Sequence, residues 1–280
     1  MGGGALTKIL HFIVCLSLWV PSVHAQENGQ NSEVPFKLAH DFLIVVPGRI
    51  GNLKGLRFIL DTGCTHSTVD RRLARELVVR LSPKRVFEFA KLVQMESGVF
   101  SEVEFGSTHL TDVPLLVTDL SHVSEFADNA DAIIGSDLLS LGNFSIDYDS
   151  KRVVFSPPQQ AVHAGSFKTV GMTLTLQVQG HPIDVLVDTG VEGIVLFEDR
   201  IQNRIPQMRI IGDTVVGGTR GKWAILPDAH LGPKDLNLKV LLVKGPPSDV
   251  AFGVDGYMGI APLKAHRIDF DLTTGTFSWR

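Results

Sequence analysis

The sequence predicts an all-β protein made of two similar halves, on two observations. Short runs rich in β-branched residues are separated by Gly, Asn and Asp, a pattern typical of β-barrels. The motif FILDTG at residues 58–63 also recurs as VLVDTG at residues 185–190. Helix is expected only over residues 71–78 and in a turn after each apolar-apolar-Gly triplet.

The similarity of the halves extends beyond this motif. After the first copy, DAIIGSDLL (131–139) leads into FSIDYDSKRVVF (144–155). After the second copy, DGYMGIAPL (255–263) leads into HRIDFDLTTGTFSW (266–279). A repeated order of this kind indicates two units of one plan, related by a pseudo-twofold axis.

The repeat sets the domain boundaries. One lobe is predicted over residues 41–157 and the other over residues 158–280, with a seam at the Pro-Pro pair. The aspartates Asp131 and Asp255, which precede the apolar-apolar-Gly triplets, are predicted to be structural turn residues.

The N-terminus differs in character from the rest. Lys8 precedes the apolar run 9–20, and small residues follow it, so residues 1–25 are predicted to be a signal peptide. The alternative is an uncleaved membrane anchor, although the run is shorter than the roughly 20 residues that span a bilayer. Residues 26–40 are predicted to be a flexible leader, and the mature chain to be exported, as a periplasmic or secreted protein.

Composition excludes several classes of protein. The 280 residues are 44% hydrophobic with a net charge of −4, and no basic stripe indicates nucleic-acid binding. Cys15 lies in the signal peptide, so Cys64 alone remains and no internal disulfide is expected. The histidines show no metal-ligand spacing, and no motif implies a metal or a cofactor.

The repeated aspartates, Asp61 and Asp188, are the candidate functional residues. Each ends an apolar run and begins an Asp-Thr-Gly turn. Packing the halves about a twofold axis would bring the two carboxyls against each other at the base of a cleft. Two carboxyls that close share a proton, so one can act as a general base while the other acts as an acid.

With these motifs, the sequence resembles the aspartic peptidases of the pepsin and retropepsin superfamily. It is similar to single-chain, bacterial-type members with two retropepsin-like β-barrel lobes, and the resemblance covers nearly all of residues 41–280. The resemblance implies a cleft between the lobes and a catalytic pair, Asp61 and Asp188. It also implies supporting residues in the two loops (Thr62, Gly63, Thr189, Gly190) and close-packing glycines behind them (Gly135, Gly259).

Family members also cover the cleft with a hairpin flap. The glycine-rich stretch 215–223, with Gly217 and Gly218, and the stretch 93–101, with Gly98, are the candidates. Ordinary surface hairpins are the alternative for both.

The sequence departs from the family pattern after each Asp-Thr-Gly. Cys64 and Val191 stand where Ser or Ala is usual, and Glu192 follows Val191. Neither side chain is a good hydrogen-bond donor to a carboxylate, so both aspartates should hold protons more readily than in a hydroxyl-flanked pair. A mildly acidic to near-neutral optimum follows.

The function predicted from the sequence is that of an aspartic endopeptidase, monomeric, acting on protein or peptide substrates. One alternative is a cysteine nucleophile, because Cys64 lies two residues from His66. The others are a non-catalytic peptide-binding protein on the same fold and a secreted β-domain of unknown role.

Overall fold

Strands make up most of the protein. The computed structural model describes residues 13–14, 24–25, 32–88, 91–106, 108–121, 130–155, 163–166, 173–216, 219–231, 234–245, 253–271 and 276–280. The strands of the first half are β1 (Ile13–Val14), β2 (His24–Ala25), β3 (Ser32–Pro35), β4 (Lys37–Ala39), β5 (Leu43–Ile50), β6 (Leu53–Leu60), β7 (Thr68–Asp70), β8 (Ser82–Glu88), β9 (Lys91–Phe105), β10 (Thr108–Thr118), β11 (Ala132–Ile134), β12 (Phe144–Asp147) and β13 (Arg152–Phe155).

The second half follows a similar order. Its strands are β14 (His163–Ser166), β15 (Thr173–Val178), β16 (His181–Val187), β17 (Ile194–Phe197), β18 (Arg209–Val216), β19 (Thr219–Leu231), β20 (Lys234–Val243), β21 (Gly256–Met258), β22 (Arg267–Asp271) and β23 (Thr276–Trp279). The helices are short: α1 (Arg71–Glu76), α2 (Ser136–Leu139), α3 (Glu198–Ile201) and a 3₁₀ turn (Ala261–Leu263).

Three of the four described helices lie where the sequence predicts them, with α1 ending at Glu76, whereas α3 was not predicted. The side chain of Asp70 caps α1 by accepting a hydrogen bond from the backbone N–H of Arg72, at 2.9 Å. Helix α2 begins directly after Gly135. The 3₁₀ turn begins at Ala261, two positions after Gly259. No helix among the described residues is long and apolar enough to span a membrane.

Each half is a closed ring of strands with the same topology. In the first half, β11 runs parallel to β6 and antiparallel to β7, and β7 runs parallel to β10. Strands β16, β21, β17 and β20 repeat this arrangement in the second half. The pairings β9–β5 and β15–β19 close the two rings. The predicted all-β fold of two barrel-like lobes is therefore confirmed.

A third sheet belongs to both halves. Its strand order is β14-β23-β22-β12-β13-β3, so the closing hairpin of each half lies beside that of the other. At its centre β12 and β22 are antiparallel, with Ile146 opposite Ile268, the equivalent residue of the repeat. The rings of Phe144 and Phe270 stack there, with centroids 4.5 Å apart. The pseudo-twofold axis passes through this pairing, which fixes the lobes against each other.

The prediction of a flexible leader over residues 26–40 is wrong for its C-terminal part. Strand β3 pairs with β13 and β4 pairs with β5, while Val34 and Phe36 are buried in the core. Only these two buried apolar residues alternate here, and the polar residues around them hide the two-residue period of a strand. The first lobe thus begins before residue 41, and the predicted boundary at 157–158 lies outside the described residues.

Two short segments of the predicted signal peptide also take part in pairing. Ile13–Val14 pairs with β8, and His24–Ala25 pairs with β10. Removal of residues 1–25 as a signal peptide stays a prediction.

Candidate active site

The two repeated aspartates occupy equivalent positions at the ends of β6 and β16. The backbone N–H of Asp61 donates to the carbonyl of Ile134, at 3.0 Å, and that of Asp188 donates to Met258, at 2.9 Å. Each aspartate is therefore anchored to the apolar-apolar-Gly strand of its own lobe. This explains why the two motifs recur together in the sequence.

Local amide groups orient the carboxyls. The Oδ1 atom of Asp61 accepts hydrogen bonds from the backbone N–H groups of Gly63, at 2.9 Å, and Cys64, at 3.1 Å. The Oδ1 atom of Asp188 accepts one from Gly190, at 2.7 Å. The turn that follows each aspartate thus holds one oxygen of its carboxyl.

The threonines of the two loops bind each other's lobes. The Oγ1 atom of Thr62 donates to the carbonyl of Val187, at 2.8 Å, and accepts from the N–H of Thr189, at 3.1 Å. The Thr189 hydroxyl makes the reciprocal bonds, to the Leu60 carbonyl at 2.7 Å and from the Thr62 N–H at 3.1 Å. All four bonds cross between the halves, so the loops are held together at their bases.

The glycines allow the carboxyls to lie against the opposite loop. A Cβ atom on Gly63 would lie 2.2 Å from Oδ2 of Asp188, and one on Gly190 would lie 2.6 Å from Oδ2 of Asp61. Each carboxyl therefore packs on the glycine of the other loop, and the two aspartates lie together at the interface of the lobes. Any side chain at either glycine would push them apart.

The glycines behind the loops are limited by space in the same way. A Cβ atom on Gly135 would lie 2.6 Å from the carbonyl oxygen of Cys64, and one on Gly259 would lie 2.0 Å from that of Val191. The structure places both where close packing behind each loop requires glycine.

Burial favours the protonated forms of both carboxyls, and the charge of Asp61 adds to this effect at Asp188. The side chains are almost fully buried, with Asp61 1% and Asp188 0% exposed. Burial raises the pKa of Asp61 to about 6, against the opposing effect of the Asp188 carboxyl and the Gly63 and Cys64 amides. Burial and the charge of Asp61 raise the pKa of Asp188 well above its usual value. The pair therefore holds a proton more strongly than two isolated carboxyls would.

One carboxyl oxygen has no amide or hydroxyl donor. The Oδ2 atom of Asp188 is buried and accepts no hydrogen bond from an N–H or hydroxyl group of the described residues, which leaves it a proton shared with the Asp61 carboxyl. A water or a substrate oxygen that bound there would satisfy this atom. The site can thus engage an oxygen atom between the two carboxyls.

A further carboxyl, that of the partly buried Asp137, supports the first loop only. It accepts hydrogen bonds from the N–H of Ser67, at 2.9 Å, and from its hydroxyl, at 2.6 Å. The Ser67 hydroxyl in turn accepts from the N–H of Gly135, at 2.9 Å. Burial raises the pKa of Asp137 to about 6. The equivalent residue in the second half is Ala261, so comparing the two halves gave no signal for this position.

The proposed cysteine nucleophile lacks the geometry of one. Cys64 is buried, and its thiol donates to the backbone carbonyl of His66, at 3.0 Å, rather than to the imidazole. The His66 ring contacts the Thr65 hydroxyl, at 3.2 Å, and burial lowers the pKa of His66 to about 4. A buried thiol directed at a carbonyl is poorly suited to attack a substrate.

One of the predicted flap glycines, Gly98, does not lie in a turn. Gly98 is inside β9, opposite Leu115, and a Cβ atom there would lie 2.5 Å from Cγ1 of Val79. The hairpin of the first lobe instead turns between Glu88 and Lys91, so its placement over residues 93–101 is wrong. Glycine is required at position 98 by a close contact with another side chain, not by a turn. Gly217 and Gly218 lie outside the described residues, between the paired residues Val216 and Thr219.

The structural aspartates behave as the sequence indicates. Asp131 accepts a hydrogen bond from the N–H of Arg57, at 2.7 Å, and Asp255 accepts the equivalent one from Asp184, at 2.9 Å. No group of His, Cys, Asp or Glu in the described part of the chain is arranged to hold a metal ion.

Comparisons with known proteins agree with this site and fold. A sequence model of the aspartyl protease family matches residues 46–138, which contain Asp61 and Gly135. Among 252 matching chains of solved structures is the aspartic proteinase from Irpex lacteus, with a TM-score of 0.54 and 12% identity. The match covers 89% of this chain and 97% of that one. No curated protein matches the sequence.

The structural likeness defines the class of fold, that of the bilobal aspartic proteinases. Together with the family-model match over residues 46–138, it supports an aspartic peptidase of the pepsin and retropepsin kind.

The crossed threonine bonds should contribute strongly to stability. Thr62→Val keeps the shape of the side chain but leaves the Val187 carbonyl and the Thr189 N–H buried without their partner. We expect the free energy of unfolding to fall by about 2–4 kcal/mol. Urea unfolding measures this fall, provided that the m value, the dependence of the unfolding free energy on urea concentration, is the same in both proteins. Thr68→Val is the matched control, because its hydroxyl makes one bond within its own lobe, to the His66 carbonyl. Equal losses in the two variants would contradict a bridging role.

Stability should rise as the pH falls below neutral. The folded-state pKa of Asp137, about 6, exceeds the unfolded value near 3.9, so the native state binds its proton more tightly. This stabilisation is complete below the unfolded pKa and is lost as the pH rises through about 6. We expect Asp137 alone to give about 1–2 kcal/mol more stability at pH 5 than at pH 8.

The same unfolding experiment separates this effect from others. Asp137→Asn should reduce the gain between pH 8 and pH 5 by that amount, whereas Asp112→Asn, at an exposed position of β10, should leave it unchanged. A pH dependence that is identical in wild type and Asp137→Asn would show that the buried carboxyl is not titrating as described.

Proposed function

We propose that the protein is an aspartic endopeptidase in which Asp61 and Asp188 activate a water molecule for attack on a peptide bond. The observation that carries this proposal is the pair of buried carboxyls, each packed on the other loop's glycine and both with raised pKa values. A purely structural site has no need for two apposed carboxyls, since keeping them together costs stability when either ionises.

Their different environments assign the two roles. Asp61 has two amide donors on Oδ1, and its pKa is the less raised, so it is the base. Asp188 has one such donor and an unpartnered Oδ2, so it carries the shared proton and is the acid. The pair thus presents a base and an acid to the same oxygen-binding point.

The reaction then proceeds in two proton-balanced steps. Asp61 takes a proton from water while the water oxygen bonds to the carbonyl carbon, and Asp188 gives its proton to the carbonyl oxygen. The resulting gem-diol collapses as Asp61 returns its proton to the amide nitrogen and the C–N bond breaks. Asp188 recovers a proton from the diol hydroxyl, which restores the starting state.

The hairpins β8–β9 and β18–β19 are proposed to cover the site. Val86 and Met95 from the first hairpin pack in one apolar cluster with Ile59 and Cys64 beside the first aspartate. Trp223 on β19 packs against the equivalent cluster that contains Val191. Because both carboxyls are almost fully buried, we propose that the hairpins move to admit substrate. Flap roles in this proposal belong to the hairpins, not to Gly98.

Cleavage within a chain, rather than at its ends, is supported by the pairing of the loops. Equivalent loops from two lobes would hold a peptide on both sides of the scissile bond. We also propose that the protein works as an exported monomer, on the basis of its N-terminal pattern and its internal pseudo-dimer. N-terminal sequencing of the recovered protein and its mass in solution test these two points.

Loss of either carboxyl should abolish cleavage. Asp61→Asn and Asp188→Asn each remove one partner of the proton exchange, so we expect kcat to fall by roughly 10²–10⁴-fold with the fold intact. Cleavage of a mixed peptide library measures it. Cys64→Ala is the matched control, because only its side chain is lost and its amide still binds Asp61. It should keep activity within a few-fold.

The same assay separates the rival functions. Residual turnover above a few per cent in either Asn variant would rule out the dyad, and inactivity of Cys64→Ala would favour the thiol. Wild-type protein that binds peptides but never cleaves them would instead be a peptide-binding module on this fold.

The pH–rate profile should be centred near neutral. Activity needs ionised Asp61 and protonated Asp188, so kcat/KM should rise with pH through about 6 and fall as Asp188 loses its proton. The double variant Cys64→Ser/Val191→Ser adds hydroxyl donors, and it should move the acidic limb of the pH–rate profile down by roughly one pH unit. Cys64→Ala/Val191→Ala, without hydroxyls, is the control. An optimum below about pH 4 in the wild type would contradict the raised pKa values.

A further inference from the structure

The two active-site loops differ in the number of amides that hold the carboxyl. In the first loop, the N–H groups of Gly63 and Cys64 both donate to Oδ1 of Asp61, at 2.9 and 3.1 Å. In the second loop, Gly190 is the one described residue whose N–H donates to Oδ1 of Asp188. The Cys64 amide is therefore an additional donor, and it makes the surroundings of the two carboxyls unequal.

Helix α2 holds the first loop through two consecutive residues. The carbonyl of Cys64 accepts hydrogen bonds from the backbone N–H of Ser136, at 2.7 Å, and from its hydroxyl, at 3.1 Å. Further along the loop, Ser67 donates its N–H, at 2.9 Å, and its hydroxyl, at 2.6 Å, to the Asp137 carboxyl. The residues on both sides of the loop's C-terminal part are thus bound to α2, and Cys64 is one of them.

The Ser67 hydroxyl extends this network to the glycine behind the loop. It accepts a hydrogen bond from the N–H of Gly135, at 2.9 Å, while it donates to Asp137. Gly135 in turn lies against the Cys64 carbonyl oxygen, which would be 2.6 Å from a Cβ atom on the glycine. A displacement at Asp137 would therefore reach the Cys64 peptide group through direct contacts.

The second loop lacks this network. Its members are replaced there by the apolar residues Ile194, Ile260 and Ala261. The backbone N–H of Gly259 instead donates directly to the carbonyl of Gly193, at 2.6 Å. The lobe without the side-chain network is thus also the lobe in which the catalytic carboxyl has a single described amide donor.

We infer that Asp137 is a positioning residue, because its bonds to Ser67 hold the first loop in the conformation in which the Cys64 amide reaches Asp61. This inference rests on the proposed peptidase function. An amide donor stabilises the ionised form of a carboxyl, so Asp137 favours Asp61 as the base without contacting water or substrate itself. The difference between the loops then decides which carboxyl takes the proton from water.

The other titratable groups around Asp61 come from both lobes. Asp188 faces it from the second loop, and burial together with the charges of the two aspartates raises the pKa of Tyr257 on β21. In the first loop, burial and the charge of Lys84 lower the pKa of His66 to about 4. The His66 ring is therefore neutral between pH 5 and pH 8, and substitutions of the α2 carboxyl remove no other charge.

Two substitutions of Asp137 separate positioning from charge. Asp137→Ala removes the acceptors of the Ser67 bonds, so the Cys64 amide should move away from Asp61. The acidic limb of kcat/KM against pH should then rise by about 0.5–1 pH unit, with KM unchanged. Asp137→Asn keeps a carbonyl oxygen for the same donors and should restore the wild-type limb. If the charge of Asp137 acted through space instead, both variants would lower the limb.

Further measurements keep the test independent of folding and of turnover. Ser67→Ala removes the hydroxyl alone and should raise the limb by a smaller amount. The position of the limb does not depend on the fraction of active enzyme. Glu76→Ala removes a carboxylate at the exposed end of α1 and, as the control, should leave the limb unchanged. Carbon-13 NMR titration of the Asp61 carboxyl, assigned by its absence in Asp61→Asn, should show the same shifts.

The outcomes separate this inference from the proposed function. A limb that moves in neither Asp137→Ala nor Ser67→Ala would overturn the positioning role. So would a fall of the limb in both the Ala and the Asn variant of Asp137, or an equal rise in both. Failure of the wild type to cleave any peptide would overturn the peptidase function, while a raised Asp61 titration in Asp137→Ala by NMR would still establish the positioning of the carboxyl.

Discussion

The reciprocal hydrogen bonds of Thr62 and Thr189 are the constraint on which the site depends. Each hydroxyl uses both its donor and its acceptor capacity on the opposite lobe, so neither loop is complete without the other. Because an unpaired buried polar group is costly, the lobes have one favourable relative position. In that position each carboxyl lies on the facing glycine, and the distance between the two aspartates is no longer adjustable.

Holding the carboxyls in this way opposes stability, and the rest of the fold offsets that cost. Desolvation raises the pKa of both aspartates, and it also raises that of Asp137, a partly buried carboxyl that accepts hydrogen bonds from Ser67. Closed strand rings on each side and the shared sheet beneath supply the opposing burial, with Ile146 and Ile268 at its centre. A site of this kind therefore requires a rigid frame, because any relaxation would separate the charges.

Much of the architecture could be predicted because the same motifs occur in the same order in both halves of the chain. The repeated Asp-Thr-Gly and apolar-apolar-Gly motifs located the paired loops, Gly135 and Gly259 included. Features present in one half only gave no such signal. Asp137 has Ala261 as its counterpart, and Gly98 owes its identity to the nearby Val79 side chain. The strands around Val34 and Phe36 were hidden by polar neighbours, since two buried residues do not make a visible period.

The differences between the lobes have a consequence for the direction in which a peptide lies. In a dimer of identical chains every substitution appears twice, and a bound peptide meets the same groups whichever way it runs. Here one loop is followed by Cys64 and supported by Asp137, and the other is followed by Val191 with Ala261 behind it. A peptide and its reverse orientation therefore have unequal free energies in the cleft. Because the halves are joined in one chain and differ in sequence, the site can favour one direction of the peptide, which a symmetric dimer of identical chains cannot do.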